Sequence, residues 1–162
     1  MPKKLIAGWF TFTCSEDSTI VMTELLNTRW SEWKNWLDFK YAKTLRKSGP
    51  LGSMDVAFIE GAISSETQAA KLKQIRSLAK TLIAIGACAV TGYPSAQRNQ
   101  FNPDQMKIIQ PILDRFKYAE KVRKVSAVVK VDHSIPGCPM DEEKFIKLIN
   151  QFLTQANASS KF

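Results

Sequence analysis

The only thiols in this 162-residue chain are Cys14, Cys88 and Cys138. Cys14 follows the apolar run Leu5 to Phe12, while Cys88 and Cys138 lie beside glycine or proline at the ends of later apolar runs. Asp17 stands three residues after Cys14, so Cys14-Ser-Glu-Asp17 has the spacing of a Cys-x-x-Cys ligand pair with a carboxylate in the second place. Thiolates are soft donors that suit iron–sulfur clusters, zinc or Cu(I). A 4Fe–4S cluster takes four protein ligands, which the three cysteines and Asp17 would supply. Glu16 and Ser15 are the neighbouring alternatives for the fourth place. By spacing alone, two other readings stay open. The cysteines can be small buried hydrophobes, or they can join Asp17 around a structural zinc.

The elements that must position these residues alternate along the chain. Leu5 to Phe12 reads as a strand buried on both faces. Asp17 or Ser18 can cap the helix that follows. Its apolar positions, Val21, Met22, Leu25, Leu26, Trp30, Trp33, Trp36 and Leu37, put three tryptophans in one stripe, expected at the core or at an interface with another chain. Phe39 to Ser53 reads as a polar, basic surface connection, with room for a short irregular strand. Asp55 to Gly61 is a buried strand ending on Glu60. Ser65 and Gln68 form a capping box for a helix to about Ala79. Thr81 to Gly86 is an apolar strand running on into Ala87–Gly92, and Tyr93 to Phe101 is a loop. Asn102-Pro103 opens a helix that Pro111 is expected to kink or divide. The alternation from Lys124 to Asp132 predicts a half-buried or edge strand. Ile135-Pro-Gly-Cys-Pro-Met140 is a rigid turn, a last helix starts at Asp141, and Ala156 to Phe162 is a frayed tail. Strands alternating with helices predict an α/β fold with a mainly parallel sheet and helices on both faces. Ligands of such sheets gather outside the carboxyl ends of the strands. That rule places Cys14, Glu60, Cys88 and Cys138 on one edge.

The formal net charge of +8 is spread along helices such as Lys71-Lys73-Arg76-Lys80, with no aromatic-interleaved basic motif, so no nucleic-acid partner is expected. No apolar stretch approaches the ~20 residues that span a bilayer. The apolar start carries no small-residue cleavage site, so it reads as a first strand and the protein as cytoplasmic, where disulfides are disfavoured. Residues 1–155 are expected to form a single domain, with 156–162 as its tail.

Four blocks occur in order: Phe10-Thr-Phe-Thr-Cys14, Asp55-Val-Ala-Phe-Ile-Glu-Gly-Ala-Ile63, Ala84-Ile-Gly-Ala-Cys-Ala-Val-Thr-Gly92 and Ile135-Pro-Gly-Cys-Pro-Met140. Together they resemble the small subunit of nickel–iron hydrogenases and the related 20 kDa subunit of respiratory complex I, over roughly residues 5 to 153. The resemblance implies a flavodoxin-like iron–sulfur domain holding one proximal 4Fe–4S cluster, with Cys14, Cys88 and Cys138 as ligands and Asp17 where the family has a further cysteine. It implies a large subunit that carries the nickel–iron centre and splits hydrogen, and an oxidoreductase in which this chain relays electrons without holding the catalytic centre. Glu60 is then a residue near the cluster or at the interface, or merely the end of a strand. Gln97 and Arg98 would bond to the partner, line the cluster's edge, or simply serve the surface. His133, the only histidine, reads as a loop residue near the site and not as a cluster ligand. With no spare cysteine for further clusters, electrons would pass to another electron-transfer subunit or a soluble acceptor. The complex I subunit uses adjacent cysteines in its first motif, whereas Ser15 follows Cys14 here, so the hydrogenase reading leads. A complex-I-like oxidoreductase subunit, and an interaction module that has lost its cluster or holds zinc, are the alternatives.

Overall fold

In the computed structural model, which describes residues 4–159, the first strand, β1 (Leu5–Thr11), leads through a turn into helix α1 (Asp17–Trp33). The helix stops four residues short of the expected Leu37. The Trp36 N–H turns back to the Trp33 carbonyl and the Trp36 carbonyl accepts from Leu5 N–H, which delivers Leu37 straight into a second strand, β2 (Leu37–Ala42). Leu37, Phe39 and Tyr41 are buried there, whereas Lys40 is exposed and Asp38 half-buried. This period of two corrects the expectation of a surface connection. A two-residue edge strand, β3 (Lys47–Ser48), pairs antiparallel with β2.

Strand β4 (Met54–Glu60), helix α2 (Glu66–Leu78), strand β5 (Ala79–Ile85) and the short helix α3 (Gly86–Thr91) follow. The apolar run at Cys88 is therefore helical after Ile85 and does not continue as strand. Helix α4 (Pro103–Phe116) passes unbroken through Pro111 and is opened by the expected cap, in which Asn102 and Gln105 bond to each other's backbone N–H. The last pair is strand β6 (His133–Ile135) and helix α5 (Glu142–Ser159). Helix therefore covers part of the expected tail, while 160–162 lie outside the described residues.

The sheet order is β3-β2-β1-β4-β5-β6, and every neighbouring pair except β2–β3 is parallel. Its two faces carry separate apolar cores. Met22, Leu25, Leu26 and Trp33 of α1 pack with Phe145, Leu148 and Ile149 of α5 on one face. Ala69, Leu72 and Ile75 of α2 pack with Val125 on the other. An α/β sheet with helices on both faces is thus the architecture.

Two expectations fall at this level. Lys124–Val131 adds no strand: Val125–Ala127 is a 3-10 turn, and the N–H groups of Ala127, Val128 and Val129 bond back to Lys124 and Val125. Val125 is buried while Val128, Val129 and Val131 lie partly buried over the sheet, so the stretch covers a face instead of extending an edge. Nor do the tryptophans form a stripe. Trp33 is in the core, Trp36 lies beyond the helix, and only Trp30 is largely exposed. The exposed apolar stripe is on α4, where Ile108, Ile112 and Phe116 are 75%, 54% and 58% exposed and only Leu113 is buried.

Candidate metal centre

The carboxyl ends of the parallel strands meet at one cleft. Its walls include Cys14 and Asp17 after β1, Glu60 and Gly61 at the end of β4, Gly86 and Cys88 in α3, Pro94 and Ser95 beyond α3, and Cys138 between β6 and α5. All three cysteines are free, Cys88 buried, Cys14 half-buried and Cys138 exposed. Thiols, two carboxylates and room between them are thus gathered from four separate stretches of the chain.

Local backbone chemistry explains the convergence. The segment before Cys14 is stitched to the end of β4: Phe12 N–H donates to the Glu60 carbonyl at 2.8 Å, and Thr13 and Ala62 exchange backbone bonds of 2.9 and 3.0 Å. That approach requires glycine at position 61, which has φ +92°; a Cβ there would stand 2.9 Å from Thr13 N. Gly137 has φ +117°, and its Cβ would meet the Pro139 carbonyl oxygen at 2.4 Å. Its own carbonyl accepts from Ala87 N–H at 2.7 Å, which ties the Cys138 turn to α3.

The donors are held individually. The Cys138 thiol donates to Asp17 Oδ2 at 2.9 Å. The Ser95 hydroxyl lies 3.2 Å from Cys88 Sγ, as donor, and 3.1 Å from the Thr13 carbonyl oxygen. Ser18 is fully buried and its hydroxyl oxygen accepts from Met140 N–H at 3.1 Å, joining α1 to the Cys138 turn. Burial, and then the charge of Glu60, push the Cys14 thiol up to about 12. The hydrogen bond to Asp17 raises Cys138 as well. Both are protons that a metal would displace on binding, since only the thiolate is a ligand.

Three thiols and Asp17 around one cleft are the kind of donors that an iron–sulfur cluster takes. Among the described residues no three His, Cys, Asp or Glu side chains converge closely enough to hold one metal ion. A zinc would need its donors within about 2.0–2.3 Å of one point, whereas a cluster takes each donor at a different iron.

The remaining expected residues are elsewhere. Glu16 precedes α1 in the left-handed region with φ 63°, exposed and outside the cleft lining. Gln97 is exposed, and the Arg98 guanidinium donates to the carbonyls of Ala119, Glu120 and Ser64, so it pins a loop and does not face the cleft. His133 is exposed in β6 against the Phe152 ring. Ser18 as the tie to Met140, and Ser95 as the partner of Cys88, were not singled out from sequence; neither has a spacing that sets it apart.

Residues 14–152 match the family described as NADH ubiquinone oxidoreductase, 20 Kd subunit. Among characterised relatives, the chain is 31% identical to the NAD-reducing hydrogenase HoxS subunit delta of Cupriavidus necator, over 60% of this chain and 54% of that one. It is 27% identical to the sulfhydrogenase 2 subunit delta of Pyrococcus furiosus, over 59% of this chain and 40% of that one. The matches therefore span about half the length of these relatives. Of solved structures, an NAD+-reducing NiFe hydrogenase in the H2-reduced state superposes with TM-score 0.81 at 22% identity, covering 94% of this chain and 93% of that one. The Ni-Fe-Se hydrogenase from Desulfomicrobium baculatum superposes with TM-score 0.64 at 14% identity, covering 98% and 65%. At those identities the structures establish the shared fold.

Proposed function

Because the chain belongs to the family of the NADH–ubiquinone oxidoreductase 20 kDa subunit, which takes in the hydrogenase subunits it matches, we propose that it is the small, electron-transferring subunit of a nickel–iron hydrogenase. Cys14, Asp17, Cys88 and Cys138 would hold one 4Fe–4S cluster, and residues 1–155 would act as the single domain that carries it. The observation that carries this reading is that all four line one cleft. When bound, the cluster supplies one-electron redox chemistry. The chain's own work is to hold the four donors, to keep Cys88 away from water, and to offer the Ser95 hydroxyl to the Cys88 sulfur. Hydrogen would be split in a large subunit that carries the nickel–iron centre, and electrons would leave to a further subunit or a soluble acceptor. The exposed apolar stripe of α4 is in keeping with a chain that works beside a partner. No helix among the described residues is long and apolar enough to cross a membrane. A cytoplasmic setting, which keeps thiols reduced, goes with this reading.

A second reading is favoured by one residue. Aspartate at position 17 in place of a cysteine is what a module that had lost its cluster would carry. Anaerobic co-purification from the native host, with metal analysis and a hydrogen-uptake assay, separates the two. Brown protein with about four irons per chain, bound to a large nickel-containing partner, is the expected result. Colourless protein selects the interaction module, and zinc without iron selects a structural metal.

A further inference from the structure

Glu60 is 2% exposed, and none of the ion pairs among the described residues includes it. Removing a carboxylate from water without a cation is costly, and such a cost is kept mainly where a group has a task. The offset here is a set of aimed donors. Glu60 Oε1 accepts from Ser18 N–H at 3.0 Å and Oε2 accepts from the Thr19 hydroxyl at 2.5 Å. The Thr19 oxygen in turn accepts from Trp9 Nε1 at 2.8 Å. That indole N–H leaves the hydroxyl proton free to point at Glu60.

The first of these bonds meets one of the N–H groups at the start of α1 that have no partner within the helix. Glu16, which precedes the helix, makes no side-chain cap bond. The outside acceptor therefore comes from the end of β4, 42 residues further along the chain. The same Ser18 N–H is also offered to Asp17 Oδ1 at 2.9 Å, so two carboxylates share one donor. The other oxygen of Asp17 receives the Cys138 thiol. A continuous path, from Glu60 through Ser18 N–H and Asp17 to Cys138, thus crosses the cleft from one wall to the other.

We propose that Glu60 is a positioning residue of the metal centre: it clamps the first turn of α1 from the end of β4, sets the stance of Asp17 beside Cys138, and adds a fixed negative charge to the cleft. This rests on the iron–sulfur reading above. A negative charge beside a cluster favours its oxidised, less negative state, so Glu60 lowers the reduction potential. Gln in its place keeps an oxygen for Ser18 but removes the charge. Ala removes both.

The test uses the full chain loaded anaerobically with ferrous iron and sulfide, alongside iron-free samples. Glu60→Gln is expected to shift the midpoint potential upward in a redox titration followed by electron paramagnetic resonance. Iron-free Glu60→Ala is expected to exchange the Ser18 amide hydrogen several-fold faster than wild type, since one of its two carboxylate acceptors is lost while Asp17 keeps the other. A Glu60→Gln potential equal to that of wild type overturns the proposal. Where Glu60→Gln takes up no iron, exchange decides: a Ser18 amide in Glu60→Ala as protected as in wild type overturns it, and Thr19→Val reports whether the Oε2 bond contributes. Wild-type protein that takes up no iron speaks against the cluster reading instead, and leaves the exchange comparison to judge the clamp.

Discussion

At the scale of single residues, the proposed cluster reading turns on Asp17. A carboxylate is harder than thiolate, gives less covalency to iron, and responds to protonation. Its two oxygens are already occupied, one by the Ser18 N–H and one by the Cys138 thiol, so it is fixed at the rim and not free in solvent. Asp17→Cys is expected to retain a four-iron cluster while changing both its midpoint potential and its response to oxygen. A redox titration and spectrum indistinguishable from wild type would count against ligation by Asp17. That the cysteines and Asp17 meet at one cleft was legible because each follows an apolar run that forms a strand. The order of four short blocks carried the family. Ser18 and Ser95 were not legible: a serine that holds a ligand in place follows no period and looks like any loop or cap residue. For Gln97 and Arg98, which follow Cys88 in sequence, the partner, the cluster's edge and the plain surface all stood open. Arg98 is instead taken up by the carbonyls of Ser64, Ala119 and Glu120.

At the scale of elements, the alternation of apolar runs with amphipathic stretches carried the sheet, and its failures have local causes. β2 hid because Leu37 also continued the helical spacing from Trp30 and Trp33, and because Asp38 and Lys40 made the stretch look polar. The run from Lys124 to Val131 had strand periodicity without a neighbour to pair with. The sheet resumes at His133, and Asp132 makes that junction. Its Oδ2 accepts from Leu82 N–H at 2.8 Å and from Arg76 Nη1 at 2.6 Å, joining β5, α2 and the entry to β6. The Leu82 N–H first, and then Arg76, hold the Asp132 carboxyl below its ordinary range. A carboxylate depressed in the folded state contributes stability above its unfolded pKa, near 3.9, and that contribution is lost as pH falls through the folded pKa. Urea unfolding should therefore show the wild type and Asp132→Asn differing by a constant amount at neutral pH, with the gap closing below about pH 4. Solvent screening limits the gap to about 1 kcal/mol. A gap that persists unchanged at pH 2 would locate the effect in packing and not in charge.

At the scale of the whole molecule, the sheet buries helices on both faces and keeps its cysteine-bearing segments at one edge, while α4 stands apart. The return from α4 reaches that edge: Val122 packs with Ala62, Cys88 and Ala96, and Cys14 lies against the same cluster. The helix itself is anchored by its caps, by the Tyr118 N–H to the Leu113 carbonyl, and by Leu113 as its one buried side chain. Stability and exposure should thus separate cleanly along its length. In the isolated chain, Ile108→Ser and Ile112→Ser remove mostly exposed surface, so each should change the free energy of unfolding by less than about 1 kcal/mol. Leu113→Ala, one residue further on, empties a packed position and should cost about 2–4 kcal/mol. Chemical unfolding of the three variants measures both quantities. A loss above about 1 kcal/mol in Ile112→Ser would mean that the stripe packs against the body in solution, and an unchanged Leu113→Ala would mean that α4 is held by its caps alone. The expected pattern, one costly position beside two nearly silent ones, is that of a helix whose apolar face does nothing for the fold that carries it.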